Sequence, residues 1–224
     1  MADHDKVVVE PDATPQAAVI LMHGLGADGH DFESLVPELR LPAAPAIRWI
    51  FPHAPVRPVT VNGGYRMRAW YDIAAIDPDA PEDRNGIRES AQSIGAFISA
   101  QRDNGIPTGR IVLAGFSQGG ALALFAALRW PEPLAGVAAM SCYLPLAATL
   151  ATEAHPANAA IPVFMAHGTD DPVVQFSLGE AARDLLLSAG YDVAWHSYRM
   201  EHELCAQEVR DLREWLLRIL AAGR

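Results

Sequence analysis

Short, largely apolar runs recur along this chain, and helical stripes separate most of them. The strand-like runs are Val7-Val8-Val9, Ala17 to Met22, Ile47 to Phe51, Arg110 to Ala114, Ala135 to Met140, Ile161 to Ala166 and Val193 to Tyr198. Between them apolar residues fall at helical spacing. Ile87, Ala91, Ile94 and Ile98 form one stripe, and Leu178, Ala181, Ala182, Leu185, Leu186 and Ala189 form another. Val209, Leu212, Leu216, Leu217 and Leu220 form a C-terminal one. A further helix is expected from about Gln118 through Leu128. Strand-like runs alternating with helices predict an α/β fold: a mostly parallel central sheet with helices on both faces. Ligands of such sheets bind beyond the carboxyl ends of the strands.

Two stretches break the alternation, roughly 52–83 and 142–160. The first contains Asn62-Gly63-Gly64, a hairpin-turn signal, and then Trp70-Tyr71. Long irregular segments often cover a site. The first is read that way because of its aromatic pair. The second, rich in Pro and Ala, reads equally as a functional loop or as a plain surface connection.

No linker or repeat divides the 224 residues, and half are hydrophobic, so one domain spanning 1–224 is expected. With 17 Lys and Arg against 27 Asp and Glu, the net charge is −10. That charge disfavours nucleic acid and anionic membrane surfaces as partners. The segment Met1 to Lys6 carries acids and no apolar core, so it does not read as a secretory signal. No run is long enough to span a bilayer, so no stable membrane insertion is expected. Cys142 and Cys205 read as free thiols of a reducing compartment, which makes a cytoplasmic location the expectation. Without H-E-x-x-H or a Cys/His cluster at zinc spacing, no metal site is expected.

The chemistry sits in Gly115-Phe116-Ser117-Gln118-Gly119-Gly120, directly after an apolar run. G-x-S-x-G between a strand and a helix exposes a serine on a sharp turn, with the helix N-terminus aimed at a developing oxyanion. The plainer alternative is a glycine-rich turn whose serine caps a helix. A serine nucleophile needs a base and a group that orients the base. In chain order, Asp170-Asp171 follows the run Ile161 to Ala166, and His202 follows the run ending near Tyr198. Only one of the two aspartates can orient a single imidazole. His167 and His196 compete as bases, but neither sits in the loop after the last strand. His23-Gly24-Leu25-Gly26 follows another strand, so the backbone amides of Leu25 and Gln118 are candidate oxyanion donors.

Taken together these segments resemble the small phospholipase/carboxylesterase group of α/β-hydrolases, which includes bacterial carboxylesterases and acyl-protein thioesterases. The resemblance covers nearly the whole chain. It rests on Leu21–Asp28, Phe51-Pro-His-Ala-Pro55, Ala69-Trp-Tyr-Asp-Ile73, Gly115–Gly120, His167–Val174 and Met200-Glu-His-Glu203. It implies an α/β-hydrolase fold with a minimal cap or none. Ser117 would be the nucleophile, His202 the base and Asp171, rather than Asp170, the orienting acid, with no cofactor. It implies Trp70 near an acyl channel; Leu25, Trp70, Ile73, Leu144 and Val173 are candidates to line one, against the plainer reading of apolar residues beside strand ends as core. One departure is Glu201, where the family usually has glycine before the base. The expected activity is hydrolysis of a small-molecule ester or thioester, with short- to medium-chain acyl esters first. Acyl-protein thioesterase or lysophospholipase action on long chains is the alternative. A non-catalytic binding protein on the same fold is the alternative of another class. The resemblance implies a monomer or a homodimer.

Overall fold

A computed structural model describes residues 6–75 and 80–221. Residues 1–5, 76–79 and 222–224 lie outside it, so the expectation for the N-terminal segment, and part of that for the stretch 52–83, fall on residues not described. In chain order the elements begin with strands β1 (Lys6–Val9) and β2 (Ala17–Met22), helix α1 (Leu35–Leu39), and strands β3 (Ile47–Pro52), β4 (Val56–Val59) and β5 (Tyr65–Arg68). Next come α2 (Arg84–Asp103), β6 (Ile111–Phe116), α3 (Gln118–Arg129), β7 (Gly136–Met140) and α4 (Leu150–Glu153). The chain ends with β8 (Pro162–Gly168), α5 (Phe176–Ser188), β9 (Asp192–Tyr198) and α6 (Ala206–Ala221).

Seven strands form the main sheet in the order β1-β3-β2-β6-β7-β8-β9. Only β1 runs antiparallel, against β3, and every other pairing is parallel. The sheet is mostly parallel, as the apolar runs predict. β2 is buried along its whole length, which a strand covered on both faces requires. One core packs α2, α3 and α5 on one face through Ile94, Leu124 and Leu186. The other packs α1 and α6 on the opposite face through Leu39, Leu212 and Leu216.

Several boundaries differ from the sequence reading. β6 continues past Ala114 to Phe116, because Gly115 pairs with Met22 of β2 and Phe116 with Met140 of β7. β8 likewise runs through His167 and Gly168, whose partners are Ser197 and Tyr198 of β9. The glycine pair does close a hairpin, between β4 and β5. A short 3-10 turn at Thr60–Asn62 precedes Gly63 and Gly64, which take φ of 65° and 78°. In α5, Ala181 and Ala189 are exposed rather than part of the buried stripe, and the helix ends before Ala189. The 142–160 stretch is not plain connection, since it contains α4 and two 3-10 turns.

Candidate active site

The turn from β6 into α3 dictates the geometry around Ser117. That residue sits at φ 54° and ψ −123°, a strained backbone for a side chain other than glycine. A Cβ on Gly115 would lie 2.2 Å from the Gly119 carbonyl, and one on Gly119 would lie 2.1 Å from the Met22 carbonyl oxygen. The chain can turn this tightly beside β2 only with glycine at both positions. The Ser117 amide donates to the Met140 carbonyl at 2.8 Å, which anchors the turn to β7.

Three sheet strands deliver three side chains to one point. Ser117 Oγ lies 2.9 Å from His202 Nε2. His202 Nδ1 lies 2.7 Å from Asp171 Oδ2. The other oxygen of Asp171 accepts the amides of Val173 and Val174 at 2.8 and 2.9 Å. A carboxylate only accepts, so Nδ1 carries the imidazole proton and Nε2 is left to accept from the serine hydroxyl. The Asp171 side chain is fully buried, whereas His202 keeps slight solvent contact. The His202 ring packs at 4.7 Å from Phe116.

The competing groups lie elsewhere. Asp170 is exposed, near Arg199. His196 sits on β9 and faces Asp211 of α6 at 3.6 Å. His167 is buried behind Asp171, where its Nε2 bonds the Val174 carbonyl at 2.8 Å and braces the turn that presents the carboxylate. Burial lowers its pKa.

Gln118 is the first residue of α3, so its amide has no acceptor within the helix. A Cβ at Gly24 would lie 3.4 Å from Ser117 Cβ, which sets the Gly24-Leu25 turn directly against the serine. His23 supports this turn from below. Its Nε2 accepts the Ala54 amide at 3.0 Å and its Nδ1 donates to the Gly24 carbonyl at 2.7 Å. Burial lowers its pKa to about 4, so it stays neutral. The Gln118 side chain also works as a bracket. Its oxygen accepts the Trp70 amide and its nitrogen donates to the Tyr71 carbonyl, both at 2.8 Å. Nothing in the sequence pattern separated the roles of His23 and of the Gln118 side chain from ordinary turn residues.

A cavity of about 490 Å³ opens at Ser117. Leu25, Ile73, Leu144 and Val173 line it, together with Leu178 and Leu185 of α5. Trp70 does not. It is only 2% exposed, its indole N–H donates to the His23 carbonyl at 2.9 Å, and it belongs to the core. The neighbouring Tyr71 lines the cavity in its place, with Tyr143 from the 142–160 stretch. Among the described residues no three His, Cys, Asp or Glu side chains are grouped to hold a metal, and no helix is long and apolar enough to cross a membrane.

A family model described as phospholipase/carboxylesterase matches residues 3–220. The chain is 39% identical to acyl-protein thioesterase 1 of Mycosarcoma maydis over 93% of its own length and 93% of that protein. Among solved structures it is similar to acyl-protein thioesterase 2 of Zea mays, with a TM-score of 0.85, 33% identity, and 96% and 98% of the two chains covered. SOBER1 of Arabidopsis thaliana superposes with a TM-score of 0.87 at 29% identity, covering 91% and 99%. These neighbours share the α/β-hydrolase fold.

Proposed function

The chain belongs to the phospholipase/carboxylesterase family and is a hydrolase, and from that premise we propose that it cleaves thioesters and esters of long acyl chains through an acyl-enzyme on Ser117. The whole chain acts as one domain, in the cytoplasm, on small acylated molecules. The observation that carries this reading is the serine–imidazole–carboxylate relay opening into an apolar cavity.

Ser117 Oγ attacks the acyl carbonyl while His202 Nε2 takes its proton. Asp171 holds the imidazole tautomer and stabilises the imidazolium that forms. The amides of Leu25 and Gln118 meet the negative oxygen of the tetrahedral intermediate, and the N-terminus of α3 adds its dipole. His202 then gives its proton to the departing thiol or alcohol. Water enters, loses a proton to the same imidazole, and releases the acid and the free serine.

Short- to medium-chain esters are the first expectation from sequence. The acyl-protein thioesterase relatives bring thioesters into the reading, and the cavity weighs toward longer chains. A water occupies roughly 30 Å³ and a methylene is of similar size, so the cavity has room for about a dozen or more chain atoms. The test is hydrolysis of p-nitrophenyl esters of increasing acyl length and of a palmitoylated thioester peptide, with Ser117→Ala as control. Rates that climb into long chains and vanish in the variant support the proposal. An optimum at acetate returns the short-chain carboxylesterase reading. No turnover by the folded protein leaves a binding protein.

A further inference from the structure

The wall of the cavity carries two hydroxyl groups that acyl-chain binding alone does not require. Tyr71 and Tyr143 come from the two irregular stretches and meet with their hydroxyl oxygens 3.0 Å apart. Tyr71 is buried, Tyr143 is half-buried, and both line the cavity. Two hydroxyls bring two protons, and the bond between them uses one. The other remains to be donated, and among the described residues no further hydrogen bond takes it. The Glu82 carboxylate lines the same cavity and acts on both hydroxyls, but its hydrogen bond goes to the Leu146 amide, and a buried hydroxyl costs free energy unless it is paired. Two phenylalanines would fill the same wall without that cost.

The pair lines the same cavity as Ser117, and both tyrosines are tied to the nucleophile's turn. Tyr71 is held by its carbonyl to the Gln118 side chain, one residue from the nucleophile. Tyr143 lies three residues beyond Met140, whose carbonyl anchors the Ser117 amide. Burial pushes the Tyr143 hydroxyl up to about 12 and the Tyr71 hydroxyl up as well, so both keep their protons at neutral pH and act as donors.

We propose that the Tyr71–Tyr143 hydroxyl pair is a specificity element that selects acyl groups bearing an oxygen substituent, a hydroxyl or keto oxygen on the chain. The ligand oxygen accepts the proton that the pair leaves over, and the aliphatic walls take the rest of the chain. The inference rests on the acyl-hydrolase reading above and narrows its substrate class.

The experiment compares p-nitrophenyl decanoate with its positional hydroxy isomers on the wild type, Tyr143→Phe and Tyr71→Phe, each kcat/KM divided by the rate of spontaneous hydrolysis. The wild type should prefer one or two hydroxyl positions over the plain chain by roughly 3- to 10-fold, the worth of one neutral hydrogen bond. Each Phe variant should lose that preference, so that its ratio of hydroxy-ester to plain-ester kcat/KM falls toward one. A flat isomer series on an enzyme that cleaves the plain ester overturns the inference and leaves the acyl-hydrolase reading standing. So does a preference that both variants retain. An equal loss on every substrate, with a lowered melting temperature, makes the pair a structural clasp and also overturns it. Failure to cleave any ester takes the parent reading down with it.

Discussion

At position 171 the difference between a carboxylate and an amide decides which nitrogen of His202 carries a proton. Asp171 is held by two backbone amides on one oxygen and by His202 Nδ1 on the other. In Asp171→Asn the side-chain oxygen would keep the amides of Val173 and Val174, and the new NH2 would face Nδ1. Two donors cannot meet, so the imidazole would place its proton on Nε2 and could no longer accept from Ser117. We expect kcat to fall by about 10³- to 10⁴-fold with the fold intact, as for a triad with its tautomer reversed. A loss below tenfold, measured on the ester series, would show that Asp171 does not orient the base. At this scale chain order and strand ends made Ser117, His202 and the pair Asp170-Asp171 readable, and only the family resemblance singled out Asp171. Trp70 was misassigned because a motif names residues and not the directions in which they point. In this loop Trp70 turns into the core while Tyr71, also buried, borders the cavity.

Among the elements, apolar runs marked the sheet strands, most plainly β2, β6, β7 and β8, because strands buried on both faces have few polar residues to blur the pattern. Only their turn signals β4 and β5, because the strands are short, largely exposed and interrupted by Arg57, Pro58, Arg66 and Arg68. The stripe of α6 was equally plain, but it concealed Glu208, which lies on the same face four residues before Leu212. Glu208 is 0% exposed and neither carboxylate oxygen has a hydrogen-bond partner. Burial, with the Asp211 carboxylate adding to it, pushes its pKa from 4.5 to about 8. The folded protein therefore holds a proton that the unfolded chain has released across this interval. Stability attributable to this group is complete below about 4.5, falls as pH rises, and is lost above about 8. The size is on the order of a few kcal/mol. Glu208→Gln, which cannot ionise, should flatten the decline of melting temperature between pH 5 and 8. Parallel melting curves for the two proteins across that range would contradict the assignment.

For the whole molecule, the mostly parallel sheet gathers the carboxyl ends of β6, β8 and β9 on one side, and the described parts of the two irregular stretches line the cavity there together with α5. They are tied together and to the helices below. The Leu146 amide donates to Glu82 at 2.7 Å, and Glu153 accepts from both Arg88 of α2 and Arg129 of α3, at 2.6 and 2.9 Å. These bonds hold Glu153 well charged, with its pKa lowered to about 2 by the Arg88 bond first and by Thr149 and Arg129 as well. A wall fixed in this way sets the length of chain that can enter, so volume added to it should be read out as chain length. Ala181 is the test position because it lines the cavity from α5 yet is exposed, so a larger side chain there does not overpack the core. Ala181→Trp should lower kcat/KM for palmitoyl and dodecanoyl esters by about tenfold or more, since each methylene denied an apolar pocket is worth ~1–3 kcal/mol. Acetate and butyrate esters, which do not reach that wall, should lose far less. The ratio of long- to short-chain rates is the readout, and it separates a blocked cavity from a damaged relay, which would slow every ester alike. If the ratio stays fixed while the protein remains folded, the acyl chain does not run along α5, and the long-chain reading loses its structural support.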